Sequence, residues 1–433
     1  MQRHSARSAR SARTKAWAFL SIATLCTALA CSNLLDVKAP DAIGTGSLED
    51  PLNALLLVQS TIGDFDCALG GYVVASGLMS GELQETTLTA SRWSYDRRDI
   101  DPNESAYATN DCESIGTYTP IQTARFTADH ALRLLEGWTD AQVPHRTNLI
   151  AHAAAFGGYS RILLGEAFCT AAIDLGPQLT SNQIFSLAIS KFDTAVTAAQ
   201  ADPTNPIGDG NILNLALLGR ARAELDAGNS AAAAADAALI PPNFTYDATY
   251  DAATSFRTNR VFSENNGHSV TVSPQYDSIS ATDPRVPVTN AHRLASDEQT
   301  PLFLQGKYAD GSSPIVAGSY IEAQLILAEA TGGPGAITIL NSLRATKSLP
   351  PLDSSSDPAV IKADIAQERA RWLWLEGQHL YDVRRFSLPL NPAAGQPYSI
   401  TYSKGGTYGT ETCMPIPPAE TNNNPNARNP PAP

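Results

Sequence analysis

The sequence predicts a mainly α-helical protein, in which paired helices build a right-handed helical scaffold under a long, irregular, loop-rich second layer with short strands. Three observations predict this. Residues 357 to 386, "DPAVIKADIAQERARWLWLEGQHLYDVRRF", combine helix start signals, a continuous apolar face and paired charges. Residues 211 to 242, "NILNLALLGRARAELDAGNSAAAAADAALIPP", space small and large residues about an "AGN" turn. Between 243 and 316 the helical period disappears, and "SVTVS", "DPRVPVT" and "KYADGSSP" read as short extended pieces joined by turns.

Taken in order, the folded body begins at residues 50 to 62, "DPLNALLLVQSTI", where Asp-Pro opens a helix whose apolar face holds Leu52, Leu55 and Leu56. Residues 63 to 112 are rich in Gly, Thr, Ser and Asp and break into short pieces, so they read as the first loop-rich, ligand-facing segment. Helices follow over 118 to 138, from about 145, and over 181 to 200, the last with Ser181 as its cap. In 211 to 242, Leu218 and Gly219, then Ala231, Ala235 and Ala238, approximate tetratricopeptide spacing. Small residues there let two helices approach closely, and neighbouring helices must stack on the pair to bury its face. Residues 243 to 316 form the second loop-rich segment. Helices resume at 319 to 331 and 334 to 352. The helix at 357 starts on Asp357 and Pro358, and Ile361, Ile365, Trp372 and Leu375 share one face. Glu368, Arg369, Arg371 and Glu376 sit among that apolar surface, and Glu368 with Arg371 is an allowed i, i+3 pair. Trp372 and Trp374 read as core. The chain becomes irregular from 387 to 433.

Composition narrows the function classes. With 433 residues, 43% apolar and 17% charged, the chain can bury a large core. Its net charge is −13, and five of its cations (Arg3, Arg7, Arg10, Arg13, Lys15) lie in the first 15 residues. The acidic remainder lacks the basic surface that nucleic acid or anionic headgroups require. That basic stretch leads into the apolar run "AWAFLSIATLCTALA", 16 to 30, which is short for a membrane span and reads as the core of a signal peptide covering residues 1 to 30. "ALA" at 28 to 30 fits ordinary cleavage, while Cys31 stands where a lipobox places its acylated cysteine. Export leaves Cys67, Cys112, Cys169 and Cys413 in an oxidising compartment, where four cysteines form two bridges in any of three connectivities.

Several stretches together resemble one family. "ERARWLWLEGQHLYDVRRF" resembles the Glu-Arg-rich signature that closes the helical part of the SusD/RagB family of outer-membrane nutrient-binding lipoproteins. The helices from 118 and 145, "DLGP" at 174 to 177, Asp283-Pro284-Arg285, the helices from 319 and 334, and "CMPIPPAETNNNPN" at 413 to 426 resemble further family segments in the same order. "CSNLLDVKAPDAIG" resembles the family's mature start, which implies a lipid anchor on Cys31 and one binding domain over 31 to 433. The resemblance implies that the chain sits on the exterior of the outer membrane, captures an oligosaccharide or peptide, and delivers it to a TonB-dependent, SusC-like transporter, with no chemical step. The competing reading is an exported tetratricopeptide-like scaffold that binds another protein along a helix-lined groove.

The chemistry supports binding over catalysis. Neither His-Glu-x-x-His, Gly-x-Ser-x-Gly, a P-loop nor Gly-x-Gly-x-x-Gly occurs, and no Cys-x₂-Cys pair suggests zinc. Asp99, Asp101 and Asn103 alternate like calcium ligands, but Glu104 and Asn110 occupy the two diagnostic positions wrongly. No cofactor or metal is expected. A sugar site wants aromatic rings beside Asp, Asn and Arg. "RWSYDRRD", 92 to 99, gathers Arg92, Trp93, Tyr95 and Asp99, with Tyr72 and Tyr107 near in sequence, and these six residues are the candidate ligand contacts.

Overall fold

The computed structural model describes residues 49–107, 112–398 and 404–431. The signal region and Cys31 lie outside the described residues. Asp50 accepts a hydrogen bond from the Leu52 N–H at 2.9 Å and opens a short 3₁₀ turn, Pro51–Asn53, that continues as α1, Ala54–Ser80. This 27-residue helix runs through the first third of the stretch expected to be irregular. Its glycines and serines are packing residues: Gly70, Ser76 and Gly77 are buried, and burial overrides their low helix propensity. Gly81 ends the helix at φ +80°, where a Cβ would lie 2.2 Å from the Asn391 carbonyl oxygen. Beyond it come β1, Leu83–Glu85, and the short α2, Trp93–Arg97.

The scaffold is a run of helices, each packed on the one before. It comprises α3 (Tyr118–Gly137), α4 (Arg146–Ala167), α5 (Ser181–Ala201), α6 (Ile212–Asp226) and α7 (Ser230–Ala237), with a hairpin of β2 (Thr170–Ala172) and β3 (Gln178–Thr180) between α4 and α5. Thr180, one residue before the expected Ser181, caps α5 in a capping box with Gln183. Asn211 caps α6, and Gly228 makes the "AGN" turn at φ +87°. Gly219 on α6 faces α5 so closely that a Cβ would lie 2.4 Å from the Phe192 ring. The alanines of α7 are read two positions off: Ala231, Ala235 and Ala238 face solvent, while Ala233 and Ala237 are buried. Asp236 explains the register, because it faces inward to pair with Arg220 of α6 at 2.7 Å.

Residues 243 to 316 interrupt this run with β4 (Thr245–Ala248), α8 (Arg260–Asn266), β5 (Val270–Val272), α9 (Gln275–Ser280), β6 (Val288–Leu294), β7 (Pro301–Gln305) and β8 (Ile315–Ser319). Among the described residues the strands form only two-stranded antiparallel pairs: β1 with β5, β2 with β3, β4 with β8 and β6 with β7. Short helices therefore accompany the expected extended pieces. The scaffold then resumes with α10 (Tyr320–Thr331), which packs on α7, and continues through α11 (Gly333–Ala345) to α12 (Pro358–Trp372).

Asp357 caps α12 through the Ala359 N–H at 2.9 Å, with Pro358 in its first turn. The helix stops earlier than its apolar stripe suggests. Leu375 and Gly377 take positive φ, and a Cβ on Gly377 would meet the Tyr72 ring at 2.9 Å; α13, His379–Phe386, starts after this break. Trp372 and Trp374 are buried. Glu368 does not pair with Arg371. It is fully buried and receives Arg285 at 2.5 Å and Arg344 at 2.6 Å, while Arg371 reaches Asp283 at 3.6 Å. The Asp-Pro-Arg segment and the Glu-Arg segment, far apart in sequence, thus meet in one buried cluster. The chain closes with α14, Pro418–Asn423. Of the three connectivities, the structure has Cys67 bonded to Cys112 and Cys169 to Cys413, the latter across 244 residues. Among the described residues no helix is long and apolar enough to cross a membrane.

Two stability outcomes follow from this packing. Gly219→Val overpacks the α5/α6 contact and is expected to cost about 1–3 kcal/mol in urea unfolding; an unchanged midpoint would refute the close approach. Glu368→Ala strands Arg285 and Arg344 in the interior, and the same measurement should show a loss of roughly 3–5 kcal/mol.

Candidate ligand-binding site

A cavity of about 550 Å³ opens where the second layer meets the C-terminal segment. Four pieces of chain form most of its wall. Strand β1 contributes Gln84 and Glu85 and is held in place by β5, with Leu83 opposite Val272 and the Ser273 N–H donating to the Glu82 carbonyl at 3.0 Å. Ser273, Pro274 and Gln275 form the adjoining wall, and Gln299, Thr300 and Pro301 the next. The last piece is residues 391–398 and 404–408, which supply Asn391, Gln396, Tyr398, Lys404 and Tyr408.

This C-terminal strap is pinned on both sides. The Gly409 N–H donates to the Arg97 carbonyl at 2.7 Å, and the Ile100 N–H donates to the Glu411 carboxylate at 2.7 Å. Gly409 is required there, since a Cβ would lie 2.1 Å from the Arg98 carbonyl oxygen. Farther on, the Cys169–Cys413 disulfide and the reciprocal hydrogen bonds Met414 N–H to Ala167 carbonyl and Cys169 N–H to Met414 carbonyl fasten the strap to the end of α4. Rings pack one on the next along the wall in tilted and edge-on contacts: Trp93 lies 6.4 Å from Tyr398, Tyr398 lies 5.2 Å from Tyr408, and the Arg98 guanidinium sits 4.8 Å from the centre of the Tyr408 ring.

Charge in the cavity is mostly carboxylate. Asp96 accepts from the Glu85 N–H at 3.0 Å. Burial, with some help from the neighbouring Glu85 charge, pushes its carboxyl up to about 7 against the pull of that hydrogen bond. Burial also raises the Glu85 carboxyl, and Arg92 opposes it from behind. Lys404 donates to the Glu85 carbonyl at 2.8 Å and pairs with Asp297 at 3.3 Å. Tyr398, 4% exposed, places its hydroxyl near Asp96 without a well-formed hydrogen bond, and burial holds its pKa far above the ordinary value. A polar wall of this kind, holding amides, hydroxyls and one O–H beside a carboxylate, suits a ligand with many hydroxyl groups.

The six residues expected to touch ligand behave differently. Tyr72, Tyr95 and Tyr107 are core residues: Tyr72 donates to Glu166 at 3.2 Å, Tyr107 donates to the Pro415 carbonyl, and Tyr95 packs on Tyr107 with ring centres 5.8 Å apart. None of the three belongs to the cavity lining. Arg92 is spent on Glu85 and Glu264 at 3.3 and 2.6 Å. Asp99 points to solvent beside Arg97, outside the cavity lining. Trp93, half-buried on α2, donates to the Thr87 carbonyl at 2.9 Å and backs Tyr398. The segment "RWSYDRRD" therefore reaches the site, but through Asp96, which the reading passed over. Tyr398, Lys404 and Tyr408 were also missed; the aromatic and glycine-rich "YSITYSKGGTYG" was their only trace in sequence. Among the described residues, no three His, Cys, Asp or Glu side chains gather to hold a metal.

Asp66, Glu82 and Glu322 are, like Asp96, carboxyls that burial raises to about 7. The folded chain keeps protons that the unfolded chain loses, so stability falls as pH rises from the ordinary carboxylate range through about 7. His379, which burial holds below its ordinary value, acts in the opposite sense as one group against four. Melting temperature should decline between about pH 5 and pH 8, and more shallowly in Asp96→Asn; an identical slope in the variant would contradict the Asp96 assignment.

Comparison with known proteins gives a consistent likeness. The SusD family model matches residues 319–431. No curated protein matches the chain. Among solved structures, a SusD homolog from Bacteroides thetaiotaomicron superposes with a TM-score of 0.68 at 13% identity, over 88% of this chain and 96% of that one. A SusD superfamily protein from Bacteroides vulgatus gives 0.63 at 16% identity, over 87% and 98%. A laminarin-binding SusD-like protein gives 0.57 at 15% identity, over 84% and 96%. The likeness to the SusD/RagB family thus rests on sequence over residues 319–431 and on fold over most of the chain.

Proposed function

We propose that this protein is a lipid-anchored binding protein of the outer-membrane exterior that captures an oligosaccharide and passes it to a TonB-dependent, SusC-like transporter. The observation that carries the reading is the cavity of about 550 Å³, large enough for a short saccharide, whose wall is mostly side-chain amides, hydroxyls, prolines and the two tyrosines Tyr398 and Tyr408. Hydroxyl-rich ligands both donate and accept hydrogen bonds, as Gln and Asn side chains do. Prolines 274, 301, 392 and 397 add apolar surface for sugar C–H groups. A peptide ligand would draw more on backbone partners. The laminarin-binding and SusD-like carbohydrate-binding neighbours support the same ligand class. Acylation of Cys31 would supply the anchor, since each buried CH₂ contributes about 0.8 kcal/mol. Capture and release need no bond to be made or broken.

A second surface favours a protein partner. A groove of about 610 Å³ is lined by Tyr118, Gln122 and Phe126 of α3, by Leu175, and by Asn423 of α14. Phe126 is 48% exposed and Leu175 69% exposed. A helix-lined groove is the feature that the scaffold reading requires, so that reading stays in view beside nutrient capture.

Calorimetry of the protein from Ser32 onward against oligosaccharide and peptide panels tests the proposal. An oligosaccharide should bind and alter the fluorescence of Trp93, which stands behind Tyr398. Gln396→Ala should weaken that binding by about 2- to 12-fold, the effect of one hydrogen bond. A folded protein that binds no member of either panel would move the weight to the scaffold reading.

A further inference from the structure

We infer that the cavity selects uncharged oligosaccharides and discriminates against uronic, sulfated and other anionic ones; this rests on reading the cavity as a saccharide site. Two acidic residues, Glu85 and Asp96, belong to its lining, the Glu85 carboxylate being buried against Arg92, and the lining holds one cation, Lys404. That cation is already engaged: its side chain is 8% exposed, its ammonium donates to the Glu85 carbonyl at 2.8 Å, and Asp297 lies 3.3 Å away. The nearby arginines are turned to other partners. Arg92 binds Glu85 and Glu264, and Arg98 lies against Tyr408 and donates to the Pro392 carbonyl. The whole chain, at −13, adds a field of the same sign.

Recognition of an anion requires donors without acceptors, usually Arg or Lys in a forked or converging arrangement. This wall offers mixed groups. Gln84, Gln299 and Gln396 carry both a donor and an acceptor, and the Tyr398 hydroxyl stands beside the Asp96 carboxylate as donor next to acceptor. Neighbouring sugar hydroxyls can satisfy both. A ligand carboxylate or sulfate in the same place would lose water and find no lining cation free to pair with it, which is costly in a partly enclosed site.

The test is calorimetry with matched pairs of equal linkage and length: a neutral oligosaccharide and its uronic or sulfated counterpart. The neutral member of at least one pair should bind at least about tenfold tighter, with the gap narrowing as salt screens the carboxylates. Asp96→Asn should narrow it too. Gln299→Lys, which places a cation on a half-exposed rim position, should raise the affinity of the anionic member in its own right and does not depend on a buried change. Equal or tighter binding of the anionic members would overturn the charge selection while leaving saccharide capture intact. Binding of neither member of any pair by the folded protein would overturn saccharide capture itself, and the selection with it.

Discussion

The structure depends on a set of buried charges that can exist only as a set. Glu166 of α4 receives the Arg222 guanidinium of α6 through two hydrogen bonds of 2.7 Å and also accepts from Tyr72 of α1. Arg222 lies 3.7 Å from Glu322 of α10. Nearby, Asp382 takes Arg369 at 2.8 Å and Arg385 at 2.7 Å, and Arg385 continues to Glu329 and Asp226. Each of these groups would be expensive to bury alone, and together they join helices from both ends of the scaffold. Burial keeps Glu322 protonated to about 7 even beside Arg222, a sign of how dry the network is. The Glu-Arg-rich segment of α12 and α13 is therefore a joint: its charges are where the last helices lock onto α6 and α10.

Locking the scaffold in this way frees the covering layer to differ. Two-stranded pairs and short helices suffice there, because the helices beneath them carry the core. The cavity takes its walls from that layer and from the C-terminal strap, and the groups that shape its floor come from α2, which packs on α1 and β1. A rigid frame with a variable cover is the arrangement in which ligand preference can change without rebuilding the fold.

How much of this was legible in the sequence depends on how local the signal is. Asp357 with Pro358 and the "AGN" turn are governed by neighbours a few residues away, and they read correctly; Gly219 does bring helices close, but against Phe192 of α5 and not within its own pair. The helix over 63–80 did not, because its Gly, Ser and Asp residues look like loop until the partner helices that pack on them are known. Glu368 was assigned to Arg371, one turn away, whereas Arg285 and Arg344 arrive from 83 and 24 residues off. The site failed for the same reason on a larger scale. Tyr95 and Asp96 are adjacent in sequence, yet one faces the core and the other the cavity, and only the strap, some 300 residues later, makes that difference matter.

The strap has a consequence for how the protein comes into being. Its anchor at Cys413 is the last cysteine of the chain and closes on Cys169, far upstream. Until the strap is in place and Cys413 has been oxidised, β1 and α2 lack the chain that completes the cavity wall. The scaffold, in contrast, is nearly complete by Phe386. Competence to hold a ligand is then the final property the chain acquires, so a product shortened by about 40 residues at its C-terminus would keep most of its helices and have no pocket.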